Sequence, residues 1–353
     1  MSLVEKLTSI KTRVDNLENA IDNSGVLDNI DGTVTDKVNL LIEKAQSGGG
    51  EVIDYPEYGF TRPSWWLPRP EDLSGSPMWF LCEVPEDMES CDGYDLTDAV
   101  KVKNGRKQKW INGDIRDRSK IKINGYCVEW ILNNPEGSYS LGYNYQEKMW
   151  RNLKIVTGTT LSPCSTGAGY TDGFRYAANL KVIDCPVKVP ADVSGYGGFI
   201  AEGGMYCNTS AEYAPQMTVT GDGLFRGGHH MFTNATCLRK AEKIEHWGNM
   251  TYTFQGCLNL EEVSFSADCT GFGTGTFNGC INLKHLTVDK GFSASLYIHY
   301  STQFTAEVLH AIIENYADMT GQTAPTFQVG ATNLAKIDDE HKAMLEAKNI
   351  NYL

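Results

Sequence analysis

Two adjacent histidines beside two glycines are the residues of this 353-residue chain best placed to do chemistry: Gly227-Gly228-His229-His230. With Cys237 they offer three ligand atoms of the kinds that bind Zn²⁺. A histidine pair in a glycine-rich turn is more often exposed than metal-bound, and the ten cysteines form no CxxC pair or regular Cys/His set. The sequence therefore predicts no metal ligands and no cofactor.

Four glutamates could supply the pair of carboxylates that glycan hydrolysis needs. They are Glu242, Glu245, Glu261 and Glu262. That chemistry needs two carboxyl groups about 5–10 Å apart in a cleft. Here the glutamates alternate with apolar residues, as solvent-facing positions of strands and turns do. The chain also contains no Gly-Xaa-Ser-Xaa-Gly nucleophile elbow. We therefore predict a protein that is not an enzyme, with no catalytic residues, and keep a wall-degrading enzyme as an alternative.

The net charge and the distribution of apolar residues disfavour some classes of binding partner and of location. A formal net charge of −13 disfavours nucleic acid and an anionic membrane surface. The chain has no run of about 18 apolar residues, so no transmembrane helix and no membrane insertion are predicted. Its first residues lack a basic stretch followed by an apolar one, so we expect no secretory signal peptide.

A repeated pattern of apolar residues dominates the second half of the chain. Residues 254–265 and 277–288 superpose without a gap, with apolar side chains at offsets 0, 3, 6, 9 and 11, and residues 174–185 fit as well. Such a period is typical of a solenoid, in which each unit buries its apolar face only against its neighbours. The pattern favours a scaffold for an extended binding surface.

The residues between the apolar positions are the candidates for binding. On the clearest strands Glu262 and His285 are expected to face outward. Tyrosines are abundant in the irregular, glycine-rich parts of the repeat region, where their rings would either stack on sugars and protein partners or fill the core. These candidates are Tyr143, Tyr145, Tyr170, Tyr196, Tyr206 and Tyr213.

The first 22 residues have the heptad spacing of a coiled coil, alternating by four and three. One amphipathic helix packed on its own domain is the alternative. The pattern does not discriminate between two and three chains. The predicted oligomerisation positions are Leu3, Leu7, Ile10, Val14, Leu17 and Ile21.

The remaining segments complete the predicted architecture, which is mixed α/β. An N-terminal coiled coil (1–46) and a glycine linker (47–50) precede a small antiparallel β-sandwich (51–140). A leucine-rich-repeat solenoid (141–300) follows, and a C-terminal helical cap (301–353), with Thr305 as the N-cap of its first helix, closes it.

The pattern Phe-Xaa-Gly-Cys-Xaa-Asn-Leu at 254–260 and its counterpart at 277–283 resemble the BspA-type leucine-rich repeat of bacterial surface proteins and phage tail proteins. The N-terminal coiled coil that ends in a glycine run resembles the phage group, and so do two further segments. They are Arg62-Pro-Ser-Trp-Trp-Leu-Pro-Arg-Pro70 and the C-terminal Ala317-Asp-Met-Thr-Gly-Gln-Thr323, continuing to Asn333-Leu-Ala-Lys-Ile337.

This resemblance implies a receptor-binding or fibre protein of a phage tail or a tail-like bacteriocin. Such proteins are usually trimers attached to a baseplate, so we expect a homotrimer that contacts baseplate or tail proteins through its N-terminus. The expected function is binding of a host surface protein or glycan by the repeat region, in a virion assembled from protein made in the bacterial cytoplasm. A purely structural tail component is the second alternative.

Overall fold

A computed structural model of the chain describes residues 8, 11, 53–116, 118–133, 139–140, 149–162, 174, 177–191 and 210–353. The chain divides into two compact units, one of residues 1–71 with 102–104 and one of residues 72–101 with 105–353. Along the described residues, no helix combines the length and apolar character needed to cross a bilayer.

The predicted N-terminal coiled coil is not shown by this structure. Of residues 1–52, only Thr8 and Lys11 are described, and both are helical. The residues that carry the heptad seam all lie outside the described residues: Leu3, Leu7, Ile10, Val14, Leu17 and Ile21.

In the first unit, an antiparallel hairpin joins β1 (Asp54–Tyr55) to β2 (Phe60–Thr61) across a 3₁₀ turn at Pro56–Tyr58. The proline- and tryptophan-rich segment follows directly. There the Arg62 guanidinium donates a hydrogen bond to the carbonyl of Leu67 at 2.5 Å. This contact spans a turn, in which Trp66 donates its N–H to the carbonyl of Pro63 at 3.0 Å.

The second unit is built from short strands and a few helices. In chain order its first strands are β3 (Met78–Pro85), β4 (Ser90–Cys91), β5 (Tyr94–Asp95), β6 (Val100–Lys101), β7 (Arg106–Asn112), β8 (Cys127–Leu132), β9 (Tyr139–Ser140), β10 (Ile155–Gly158), β11 (Leu161–Ser162), β12 (Val182–Asp184) and β13 (Val187–Pro190). They are followed by β14 (Tyr213–Ala214), β15 (Met217–Thr220), β16 (Lys240–Ala241), β17 (Glu262–Phe265), β18 (His285–Val288), β19 (Leu296–Tyr297), β20 (Thr326–Gln328) and β21 (Asn351–Tyr352). Its helices are a 3₁₀ turn at Arg118–Lys120, α1 (Ile121–Asn124), α2 (Ala306–Asn315), α3 (Ala331–Leu334) and α4 (Asp339–Ala347).

A six-stranded mixed sheet replaces the predicted β-sandwich, which was wrong. Its order is β12-β10-β8-β3-β7-β6. Pairing is antiparallel from β6 through β7 and β3 to β8, and parallel from β8 through β10 to β12. Every residue of β8 is buried, which is the pattern of a central strand covered on both faces. β8 also pairs with β10, so the sheet extends beyond the segment that was predicted to form the sandwich.

The later strands form further parallel sheets, with the orders β15-β13-β11-β9, β14-β16-β17-β18 and β19-β20-β21. The predicted single leucine-rich-repeat solenoid was therefore wrong. The step along the chain between paired residues is uneven, being shorter from Lys240 to Glu262 than from Val187 to Met217. The earlier parallel strands therefore do not keep the spacing of the clearest units, as a single regular solenoid would require.

The apolar pattern nevertheless marks the core correctly. Strands β17 and β18 pair in parallel, with Val263 opposite Leu286, which occupies the same position of the next unit. The rings of Phe232, Phe254 and Phe277 stack in a column, with centroids 5.2 Å and 5.7 Å apart. All ten residues at the five offsets of the two clearest units are buried: Phe254, Cys257, Leu260, Val263, Phe265, Phe277, Cys280, Leu283, Leu286 and Val288.

Polar side chains also link each unit to the one before it. The thiol of Cys280 donates to the carbonyl of Phe254 at 3.1 Å, as Cys257 does to Phe232 at 3.0 Å. An asparagine amide of each clear unit donates to a carbonyl of the preceding one. These pairs are Asn259 to Thr236 at 2.8 Å and Asn282 to Leu258 at 2.9 Å. The asparagine of the repeat motif therefore links successive units through a hydrogen bond.

The predicted helical cap was wrong, because the C-terminal region is a mixed α/β unit. The elements follow in the order β19, α2, β20, α3, α4 and β21, and the three strands pair in parallel. The predicted N-cap is confirmed, since the hydroxyl of Thr305 accepts a hydrogen bond from the backbone N–H of Val308 at 3.4 Å. Strands as short as these give no periodic signal in the sequence.

Replacement of Phe254 by alanine is expected to lower the free energy of unfolding by about 3–5 kcal/mol, because it opens a cavity between two stacked rings. Leu258→Ala in the same unit is the matched control, since that side chain is 45% exposed and should change stability by less than about 0.5 kcal/mol. Equilibrium denaturation in urea measures both. Equal losses in the two variants would contradict the stacked column.

Candidate functional site

Three of the predicted receptor-binding residues lie on the parallel sheet β14-β16-β17-β18. Tyr213 pairs with Lys240, Lys240 with Glu262, and Glu262 with His285, so the four residues form one row across the strands. Lys240 and Glu262 are joined by an ion pair of 3.1 Å. The other five predicted tyrosines lie outside the described residues: Tyr143, Tyr145, Tyr170, Tyr196 and Tyr206.

A second row of alternating charges lies beside the first. We call it the charge row; in order it comprises Lys181, Glu212, Arg239, Glu261 and Lys284. Ion pairs join Lys181 to Glu212 at 3.8 Å, Arg239 to Glu261 at 2.9 Å and Lys284 to Glu261 at 2.6 Å. The backbone keeps the order, because Glu261 donates its N–H to the carbonyl of Arg239 and Lys284 donates to that of Glu261.

The charge row includes Glu261, one of the glutamates considered for glycan hydrolysis. Hydrogen bonds from Lys284 and then Arg239 lower the pKa of Glu261. A general acid needs a carboxyl whose pKa is raised, so that it is protonated near neutral pH. Glu262 and Glu245 are likewise ion-paired, to Lys240 and Lys243. Each of these three carboxylates therefore lies beside a cationic side chain.

The adjacent histidines are packed by an aromatic ring. His230 stacks on Tyr252 with ring centroids 5.0 Å apart, and its Nδ1 lies 2.9 Å from the hydroxyl of Thr233. Because Thr233 donates its proton to the carbonyl of Tyr252, Nδ1 of His230 is assigned as the donor to Thr233. Burial, and then neighbouring His229, lower the pKa of His230 to about 4. Burial and the neighbouring His229 both favour the neutral imidazole of His230.

These histidines do not assemble a metal centre with Cys237. Among the described residues, the group whose ligand atoms all lie within 4.8 Å of one another is His310, Asp338 and His341, in the C-terminal α/β unit. Sequence reasoning missed this group, because its two histidines lie on different helices that are separated by a strand and a third helix in the chain.

A concave basic surface lies at one end of the mixed sheet. We call it the basic pocket; its volume is about 470 Å³. Arg106 begins β7, Lys154 precedes β10, and Arg151 lies in the turn before it. The complete lining is Glu83, Arg106, Tyr126, Val128, Arg151, Asn152 and Lys154.

The chemistry of the basic pocket is that of an anion-binding site with one aromatic wall. The guanidinium of Arg151 lies 6.0 Å from the ring centre of Tyr126. The acidic member, Glu83, accepts a hydrogen bond from Gln108 at 2.8 Å, and Asn152 is held by the carbonyl of Gly125 at 2.6 Å. Three cationic side chains therefore share this surface of a chain whose net charge is −13.

Sequence reasoning also missed the basic pocket, because its residues come from four separate segments that only the sheet order brings together. No local motif marks them. Comparison of the chain with models of protein families, with curated proteins and with solved structures finds no match. The assignment of a function therefore rests on the residues and on their geometry.

The lowered pKa of His230 predicts a loss of stability in acid. Between pH about 6.5 and about 4, the unfolded chain binds a proton at this residue that the folded chain does not, so stability falls as the pH falls. At pH 5 the contribution is of order 1 kcal/mol after allowance for solvent screening. The variant His230→Asn, whose residue tolerates the positive φ of 57° here, should therefore lose less stability than the parent between pH 7 and pH 5.

The matched control is His285→Asn, which removes an exposed histidine of β18. Urea denaturation at several pH values measures the difference between each variant and the parent. A pH dependence that is the same in the parent and in His230→Asn would contradict the assignment.

Proposed function

We propose that the chain is a non-enzymatic receptor-binding protein of a phage tail fibre or baseplate, which attaches to an anionic polymer of the host surface. The observation that carries the binding role is the basic pocket, with Arg106, Arg151 and Lys154 on one concave surface. The resemblance of three segments to phage tail proteins supports the setting.

The size and lining of the basic pocket support a glycan-type ligand that carries negative charge. Its volume of about 470 Å³ is within the range of ligand sites, about 300–1,000 Å³. Arginine guanidinium groups bind phosphate and carboxylate oxygens through paired hydrogen bonds. The ring of Tyr126 adds a surface on which a sugar can stack.

A purely structural tail component is the second candidate function, and the charge row favours it. Its charges are already paired within the chain, from Lys181 to Lys284. Such a surface gains little from recognising a charged ligand and suits contact with neighbouring proteins whose charges alternate in the same way. Binding of a host polymer separates the two functions.

Replacement of Arg106 and Arg151 together by glutamine is expected to weaken binding to an anionic polymer at least tenfold, since each substitution removes a cation from the basic pocket. The probe is polyglycerol phosphate, with neutral dextran as the uncharged comparison, and isothermal titration calorimetry on the full chain gives the affinity. Raising the ionic strength from about 0.05 M to about 0.5 M should weaken the binding of the parent as well.

The matched control is Lys188→Gln with Arg226→Gln, which removes the same charge from two exposed positions outside the basic pocket. This variant should keep the affinity of the parent. Equal losses in both double variants would indicate a general charge effect and overturn the assignment of the pocket. Failure of the parent to bind any host polymer would favour the structural role.

We further propose that three chains associate through the apolar residues near the N-terminus. Together they would strengthen weak individual contacts, because attachment of one chain raises the effective concentration of the others at the surface. The docking of this end on baseplate or tail proteins is part of the same proposal.

Replacement of both Leu7 and Val14 by aspartate is expected to reduce the mass of the particle from three times the 39.1 kDa of one chain to that of a single chain. Charged side chains at these positions would be buried between chains without a partner. Light scattering measures the mass. The control is Thr8→Asp, at an exposed residue between the apolar positions, which should leave the mass unchanged. A single-chain mass for the parent would contradict the proposal.

A further inference from the structure

Helices α2 and α4 bring two histidines and two carboxylates together. His310 and Glu314 lie four residues apart on α2, which places them on one face of that helix. Asp338 is the N-cap of α4, and His341 lies in its first turn. The imidazole rings of His310 and His341 stack, with centroids 3.7 Å apart and planes inclined by 12°.

The carboxylates point at the imidazole nitrogens of this group. Nδ1 of His341 lies 2.7 Å from Asp338, and its Nε2 lies 3.5 Å from Glu314. Nε2 of His310 lies 3.8 Å from Asp338, is shielded from solvent and makes no hydrogen bond to any described residue. A shielded imidazole nitrogen without such a partner is costly, and a bound cation would satisfy it.

The two carboxylates also act on the protonation of His341. Burial lowers the pKa of His341, but hydrogen bonds with Asp338 and Glu314 outweigh it and raise that pKa overall.

We propose that His310, His341 and Asp338 bind a Zn²⁺ ion that ties α2 to α4. Two imidazoles and a carboxylate are a donor set that zinc accepts, and they leave a fourth position for water or for Glu314. Their ligand atoms lie within 4.8 Å of one another, whereas tetrahedral ligands of zinc are about 3.4 Å apart. Asp338 already lies 3.8 Å from Nε2 of His310 and 2.7 Å from Nδ1 of His341, so binding requires the two imidazole rings to turn out of their stack until both nitrogens face the ion.

The role of the ion would be structural, because the group joins two helices of the C-terminal α/β unit. An ion that binds the folded chain and not the unfolded one raises the melting temperature in proportion to the logarithm of its concentration. The site is independent of the basic pocket, whose residues lie between Glu83 and Lys154. Zinc binding therefore neither requires nor tests the proposed attachment to a host polymer.

The test is a titration of the full chain, without a polyhistidine tag and stripped of metal by a chelator, with zinc chloride at neutral pH. Calorimetry should show one ion per chain, and zinc should raise the melting temperature, whereas magnesium chloride should do neither because Mg²⁺ prefers oxygen ligands. His310→Ala and Asp338→Ser should each lower the zinc affinity at least tenfold. The variant Asp338→Ser keeps an N-cap for α4 but removes the carboxylate.

The matched control is His246→Asn, which breaks the ion pair of His246 with Asp268, a histidine–carboxylate pair outside the proposed zinc group. This variant should bind zinc as the parent does. Circular dichroism in chelator establishes that each variant is folded. Absence of binding by the parent, or equal binding by the parent and by Asp338→Ser, would overturn the proposal and leave the group as a proton-linked ion pair.

Discussion

The stacking of each parallel strand on the one before it is the interaction on which the second unit depends. A strand as short as Lys240–Ala241 cannot bury its apolar side chains by itself. Phe254 is covered because Phe232 lies on one side and Phe277 on the other. The amide of Asn259 donates to the carbonyl of Thr236, and the thiol of Cys257 adds a second donor to the carbonyl of Phe232, which also accepts the N–H of Ala235.

The same stacking sets the character of the outer surface. Residues at one position of successive units must lie side by side, since parallel pairing keeps the strands in register. Glu212, Arg239, Glu261 and Lys284 therefore become neighbours although each comes from a different unit of the chain. Opposite charges at these positions stabilise the pairing, and like charges would oppose it. The surface of the repeat region is thus largely a consequence of the stacking.

The two proposed sites lie where this regularity ends. The basic pocket forms where antiparallel strands of the mixed sheet meet parallel ones, so its side chains are not fixed by a repeat. The group around His310 and His341 forms where helices are inserted between the last parallel strands. Interruptions of a regular scaffold are where side chains of unrelated segments converge, which is what a binding site requires.

The predictions from the sequence succeeded for local patterns and were wrong about how segments combine. The offsets of Phe254 and its equivalents marked buried positions, because burial in a repeat follows spacing alone. The N-cap at Thr305 was visible for the same reason. The β-sandwich was wrong because β8 pairs with β10 beyond the segment that the sandwich was expected to span, and no local pattern specifies which strand an edge accepts.

The sequence by itself determined which residues are buried in the repeats, which residue caps α2, and that the chain carries a net charge of −13. Only the tertiary structure decided that the strands divide into several sheets, that Arg106 meets Arg151 in a pocket, and that His310 stacks on His341. The physical reason is the separation along the chain of the residues that interact. Burial and capping depend on short spacings along the chain, whereas the sheets and both sites depend on which distant segments pack against one another.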